Sequence, residues 1–152
     1  MLVLVLSIIG PLVVVAVVLV IVFGAVRRAI DRAAESVAVE GVELDSGPVT
    51  VTVRMRDFRA PGIRSGGIRR VPGRIVLTRR RLHILGRPQR YGIFDRADLD
   101  RLTVGIFDGR LHLYSTDPPG ATGSIDYRVP IKDPERWVAA LTAAGALGAR
   151  TG

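Results

Sequence analysis

Residues Leu2 to Phe23 read LVLVLSIIGPLVVVAVVLVIVF, and no charged side chain occurs before Arg27. A run this apolar must be buried in a core or in a bilayer. At about 1.5 Å per residue it makes a helix of about 33 Å, which matches a hydrocarbon core of about 30 Å. Helices buried in soluble cores rarely go this far without a charged or amide side chain. Pro11, next to Gly10, lies inside the run. Membrane helices tolerate such a proline where the freed carbonyl finds a partner. A cleaved signal peptide would instead need a basic start, an apolar core of about 7–15 residues and a small-x-small cleavage site. This run has no basic start, is too long, and leaves through Phe23-Gly24-Ala25-Val26-Arg27, a poor cleavage site. The reading is an uncleaved single-pass anchor over residues 1–26.

Arg27, Arg28 and Arg32 follow the span, and no basic side chain precedes it. The positive-inside rule then puts the N-terminus outside and the rest of the chain in the cytoplasm, at the cell membrane.

Beyond the anchor, Val26, Ile30, Ala33, Ala34 and Val37 recur at helical spacing, with Arg27, Arg28, Asp31, Arg32 and Glu35 opposite. Residues 27–38 are therefore expected to form a juxtamembrane helix, a stalk or a partner-binding face. Residues 39–48 (VEGVELDSGP) read as a short acidic linker.

The period then becomes two. Val49, Val51, Val53 and Met55 alternate with Thr50, Thr52, Arg54 and Arg56, which describes a half-buried strand. Further strands are expected around Ile75–Leu77, at 82–86, at 91–94, at Leu102–Ile106, at Leu111–Leu113 and at Ile125–Ile131. Asp108-Gly109 suits a two-residue type I′ turn, which would pair Ile106 with Leu111 and Val104 with Leu113. Asp95, Asp98 and Asp100 lack the glycine and terminal glutamate of a calcium loop, and a helical turn accounts for them better. A last helix is expected after Asp133 as N-cap, with Pro134 in its first turn, a stripe of Trp137, Val138, Leu141 and Ala144, and Gly145 as terminator. Residues 148–152 read as a tail. The expected class is mainly β with α: a transmembrane helix, then seven antiparallel strands closed by a C-terminal helix over residues 49–147.

That plan, with the string Gly73-Arg74-Ile75-Val76-Leu77-Thr78-Arg79-Arg80-Arg81-Leu82, resembles the pleckstrin-homology (PH-like) superfold, and most of all its GRAM-like and bacterial PH-like branches. In those domains a helix plugs the curled sheet, and a tryptophan on it packs inward; Trp137 matches that residue. The resemblance implies a binding or docking module, often at membranes, without catalysis.

Charge is distributed unevenly. Residues 46–94 carry twelve arginines against Asp57 alone, whereas the segments on either side are close to balance. The stretch 59–74, RAPGIRSGGIRRVPGR, reads as a Gly- and Pro-rich loop between the first two strands. PH-like domains that bind phosphoinositides carry basic residues in that loop, so the resemblance makes Arg59, Arg64, Arg69, Arg70 and Arg74 candidates for anionic lipid. Arg79 and Arg80 would extend the same face from a tight turn. Each basic group near an anionic leaflet contributes about 1 kcal/mol. The plainer reading is a solvated loop: 21 of the 22 basic residues are arginine, a coding-level skew.

Other chemistries find little support. Without cysteine there is no disulfide, thiolate metal site or cysteine nucleophile. His83 and His112, each flanked by apolar residues, should point away from the core as surface or groove histidines. No phosphate-binding glycine loop or nucleophile elbow occurs. No enzyme activity, cofactor or metal is expected. Sparse stacking aromatics and a bilayer anchor argue against nucleic acid. Two functions stand: a membrane-anchored module that contacts anionic lipid headgroups, and a protein-interaction subunit of a membrane complex.

Overall fold

The structure, a computed structural model, describes residues 2–61, 63–86 and 92–149. Its first element is one uninterrupted helix, α1 (Leu2–Ala38). It joins the apolar run and the expected juxtamembrane helix without a break, and it is long and apolar enough to cross a membrane.

Nine strands follow: β1 (Val42–Asp45), β2 (Val49–Ala60), β3 (Ile63–Thr78), β4 (Arg81–Gly86), β5 (Gly92–Asp95), β6 (Leu102–Phe107), β7 (Arg110–Thr116), β8 (Thr122–Val129) and β9 (Leu147–Gly148). A 3-10 helix, Arg96–Arg101, takes up the Asp95–Asp100 segment. Helix α2 (Pro134–Ala143) precedes β9. The strands lie in the order β5-β4-β3-β2-β8-β7-β6-β9, with β1 added beside β3. All seven expected strands are present. The fourth begins at Gly92, because Tyr91 lies outside the described residues.

Inward residues of β2 to β8 form a single apolar cluster, so the sheet must curl into a half-barrel. Trp137, 4% exposed, and Leu141 of α2 complete it. The Asp108-Gly109 turn has positive φ at both residues, and Ile106 faces Leu111 while Val104 faces Leu113, as the pattern requires.

The sequence reading needs four corrections. The stretch 59–74 is not a loop: β2 and β3 pair from Val49↔Gly73 to Ala60↔Ile63, one long hairpin. A bulge at Asp57 (φ 52°) shifts the pleat by one residue, so the alternation that ends at Met55 resumes at Phe58 and is lost to simple counting. The supposed linker contains β1. Since β2 covers β3 only as far as Gly73, β1 pairs with Val76–Thr78 and satisfies that free edge. The tail also begins as structure, because β9 pairs in parallel with β6 and Ala149 N–H donates to the Val104 carbonyl. Asp133 sits at the N-cap of α2, but at φ 51° its side chain makes no capping hydrogen bond.

The apolar stripe on α1 is neither a bare stalk nor a face free for a partner. Ile30, Ala34 and Val37 pack onto Val76 and Leu85, outward-facing residues of β3 and β4. This second small core fixes the end of the helix to the sheet.

Candidate membrane-surface site

The pairing that joins α1 to the sheet fixes the direction of the hairpin. Glu40, just past the helix, reaches Thr78 and His83 at one end of β3. Phe23, Val26 and Arg27 line a groove with Val49, Thr50, Pro72 and Gly73, one third of the way along it. As α1 runs back from Ala38 towards Phe23, β3 runs beside it from Thr78 towards Pro72. Residues 63–71 of β3 and their partners on β2 continue the hairpin past this groove, away from the Thr78 end.

The seven arginines singled out by sequence divide into three groups. Arg59, Arg64, Arg69 and Arg70 belong to the outer part of the hairpin, which β8 flanks as far as Arg59↔Thr122. Arg59 and Arg64 are register partners near its tip, where Arg64 is described by its backbone only. Arg70 pairs with Thr52 on the outer face, whereas Arg69 pairs with Val53 on the core-facing side, past the end of β4. Arg74 is engaged in structure. Its Nε donates to Asp45 Oδ1 at 2.8 Å, and its Nη1 lies 3.2 Å from Asp31 on α1. Arg79 and Arg80 occupy the turn between β3 and β4, at the opposite end of β3 from the tip. The seven residues do not form one patch.

Other basic residues join the first group. Arg128 of β8 lies across from Thr52, in the row of Arg70, and Arg54 lies between Ile68 and Asp126 in the next row. Arg56 follows, opposite Ser124. The polar positions of the β2 alternation indicated Arg54 and Arg56, but long-range strand pairing was needed to bring in Arg128. Among the described residues, Arg54, Arg56, Arg59, Arg69 and Arg70 make no ion pair. Ile68 stands among them 63% exposed.

Towards the other end of β3 three arginines are paired, while Arg79 and Arg80 in the turn make no ion pair among the described residues. Arg74 holds Asp31 and Asp45, Arg81 holds Asp95, and Arg96 holds Glu43. His83 faces away from the main core, as expected, but it is buried rather than at the surface, because α1 and its following turn cover that face. Its Nε2 lies 3.1 Å from Glu40 Oε2, and the Thr78 hydroxyl is also 3.1 Å from that oxygen. The hydrogen bond with His83 is the chief cause holding the Glu40 carboxyl below its ordinary range, against the cost of burial. The hydrogen bond from Arg74 does the same for Asp45. His112, half-buried, has Nε2 2.9 Å from Asp126 Oδ1, close but not aligned for a hydrogen bond.

The site therefore consists, among the described residues, of arginines without ion-pair partners on the outer part of the β2–β3 hairpin, which β8 flanks as far as Arg59↔Thr122, with Arg128 beside them 3.7 Å from Asp126. Among the described residues no three His, Asp or Glu side chains come together to hold a metal. Comparison of the chain with family models, with curated proteins and with solved structures gives no match.

Proposed function

We propose that this chain is a single-pass, membrane-anchored PH-like module whose arginine-bearing hairpin rests on the anionic surface of the leaflet that its anchor leaves, on the cytoplasmic side. Without β1 and β9, the order β5-β4-β3-β2-β8-β7-β6 is a seven-stranded meander whose first and last strands meet, closed by a helix. That plan supports the PH-like reading.

The observation that carries the functional reading is the group of arginines without ion pairs on the hairpin, whose base lies beside the end of the uncharged run of α1. From Gly73 to Ile63 the arm extends about 33 Å, at about 3.3 Å per residue. It leaves from beside Phe23 and Arg27, where the uncharged run ends. The reading requires the hairpin to turn along the membrane plane from that level, which brings its arginines to the headgroups. Unpaired arginines there contribute on the order of 1 kcal/mol each, decaying over about 8 Å at physiological salt. Tethering supplies the proximity, so modest contacts suffice. Arg27, Arg28 and Arg32 support the cytoplasmic side.

The test uses the full chain in nanodiscs. Since the sequence has no cysteine, Ile68→Cys gives one attachment point for an environment-sensitive fluorophore. In phosphatidylglycerol discs the probe should report a buried, salt-reversible environment; in phosphatidylcholine discs it should report water. Equal signals in both discs would overturn the reading. In intact cells the same cysteine should react with an impermeant maleimide only after permeabilisation. A second reading is a protein partner on the uncovered outer face of β6 and β7, where Phe107 is 51% exposed beneath Arg128. It predicts a probe response that follows the partner and ignores lipid charge.

A further inference from the structure

The groove between α1 and the base of the hairpin has a volume of about 500 Å³, with Phe23, Val26 and Arg27 on the helix side and Val49 and Pro72 on the sheet side. We infer that it holds one anionic glycerophospholipid, with its phosphate at Arg27 and its upper acyl chain between the two apolar walls. This rests on reading α1 as a bilayer span. It goes beyond the hairpin contact, because a diffuse basic arm attracts many headgroups weakly, whereas a walled groove holds one molecule by shape and charge together.

Three observations commit the groove to a lipid. It opens where the helix changes from apolar to charged, so its walls continue the surface that acyl chains cover from Leu12 to Phe23. Its lining is mostly apolar, and Phe23 is 65% exposed on the bilayer side. Its charges do not cancel: Asp31 is already bound to Arg74 at 3.2 Å, while Arg27 has no carboxylate partner among the described residues. A phosphate therefore meets one free cation and no free anion.

Gly24 also lines the groove, and a Cβ built there has no atom within 4 Å. A large side chain at this position would fill the space without straining the fold. The experiment takes the full chain, stripped of lipid in a non-ionic detergent, and titrates it with dioleoyl phosphatidylglycerol or dioleoyl phosphatidylcholine. Bound lipid is counted by native mass spectrometry. The expected result is one phosphatidylglycerol held at least about tenfold more tightly than phosphatidylcholine. Gly24→Phe should abolish the bound lipid and Gly24→Ala should keep it, with unchanged melting in both. Arg27→Gln should erase the preference between headgroups. The double variant Arg59→Gln, Arg70→Gln should bind like the parent. Retention by Gly24→Phe, or equal binding of both lipids by the parent, overturns the inference. Loss of lipid in the hairpin variant with retention in Gly24→Phe would overturn the groove and leave the hairpin contact standing.

Discussion

Gly73 sits where β3 leaves β2 and meets β4, paired with Val49 on one side and Gly86 on the other. A Cβ there would lie 2.6 Å from the Leu85 carbonyl oxygen and 2.9 Å from Val51 Cγ2. Both neighbours are parts of packed strands that cannot move singly. Gly73→Ala should cost about 1–3 kcal/mol, the usual cost of overpacking. Its thermal midpoint should fall relative to a Gly66→Ala control, where a Cβ meets nothing. Glu40 and Asp45, which clasp the chain after α1 to β3 and β4 through Thr78, His83 and Arg74, give a second prediction. Asp45 and Glu40 titrate below their ordinary values in the folded chain. Their stabilising contribution is therefore complete above the usual carboxylate range and is lost as pH falls through that range. Melting of the full chain in detergent should drop from neutral pH to about pH 3, and Asp45→Asn should flatten that drop. An acid profile unchanged by the substitution would count against the clasp. At this scale the sequence was legible where one residue's own geometry decides, as at Asp108-Gly109. It was not legible at His83, whose burial depends on Glu40, 43 positions away.

Among the elements, periodicity found the strands whose two faces differ and missed those whose faces do not. β2 declared itself through Val49 to Met55 because one face meets the core. The outer half of the hairpin did not, since the bulge at Asp57 shifts its pleat by one residue and leaves only Phe58 and Ala60 turned to the core. The stripe on α1 was visible at its helical spacing, but the surface it meets was not. Val76 and Leu85 lie on the outer faces of their strands, where α1 covers them. It follows that the juxtamembrane half of α1 belongs to the domain. A chain of residues 24–152 should be soluble and melt cooperatively. A chain of residues 40–152, which leaves Val76 and Leu85 bare, should melt at least about 5 °C lower and bind a hydrophobic dye. Equal midpoints would return the helix to the role of stalk.

For the molecule as a whole, composition gave the excess of arginine, but only the topology separates its two populations. Arg74, Arg81 and Arg96 are neutralised by Asp31, Glu43, Asp45 and Asp95. Arg54, Arg56, Arg59, Arg69 and Arg70 on the hairpin are not, nor are Arg79 and Arg80 in the β3–β4 turn, and the hairpin group is the most direct support for the proposed contact with an anionic surface. Helix α1 passes from its apolar run into the packed domain as a single rod of 37 residues. If α1 crosses a bilayer as proposed, a mount without a joint would set how far the domain stands above the lipid. Adding four residues after Phe23 would raise it by about 6 Å while nearly keeping helical phase, and the salt-reversible signal at position 68 should fade. Thickening the bilayer by longer acyl chains should draw the arm down again. On the proposed contact, such a rod would make the pressure of the hairpin on its own leaflet a gauge of membrane thickness.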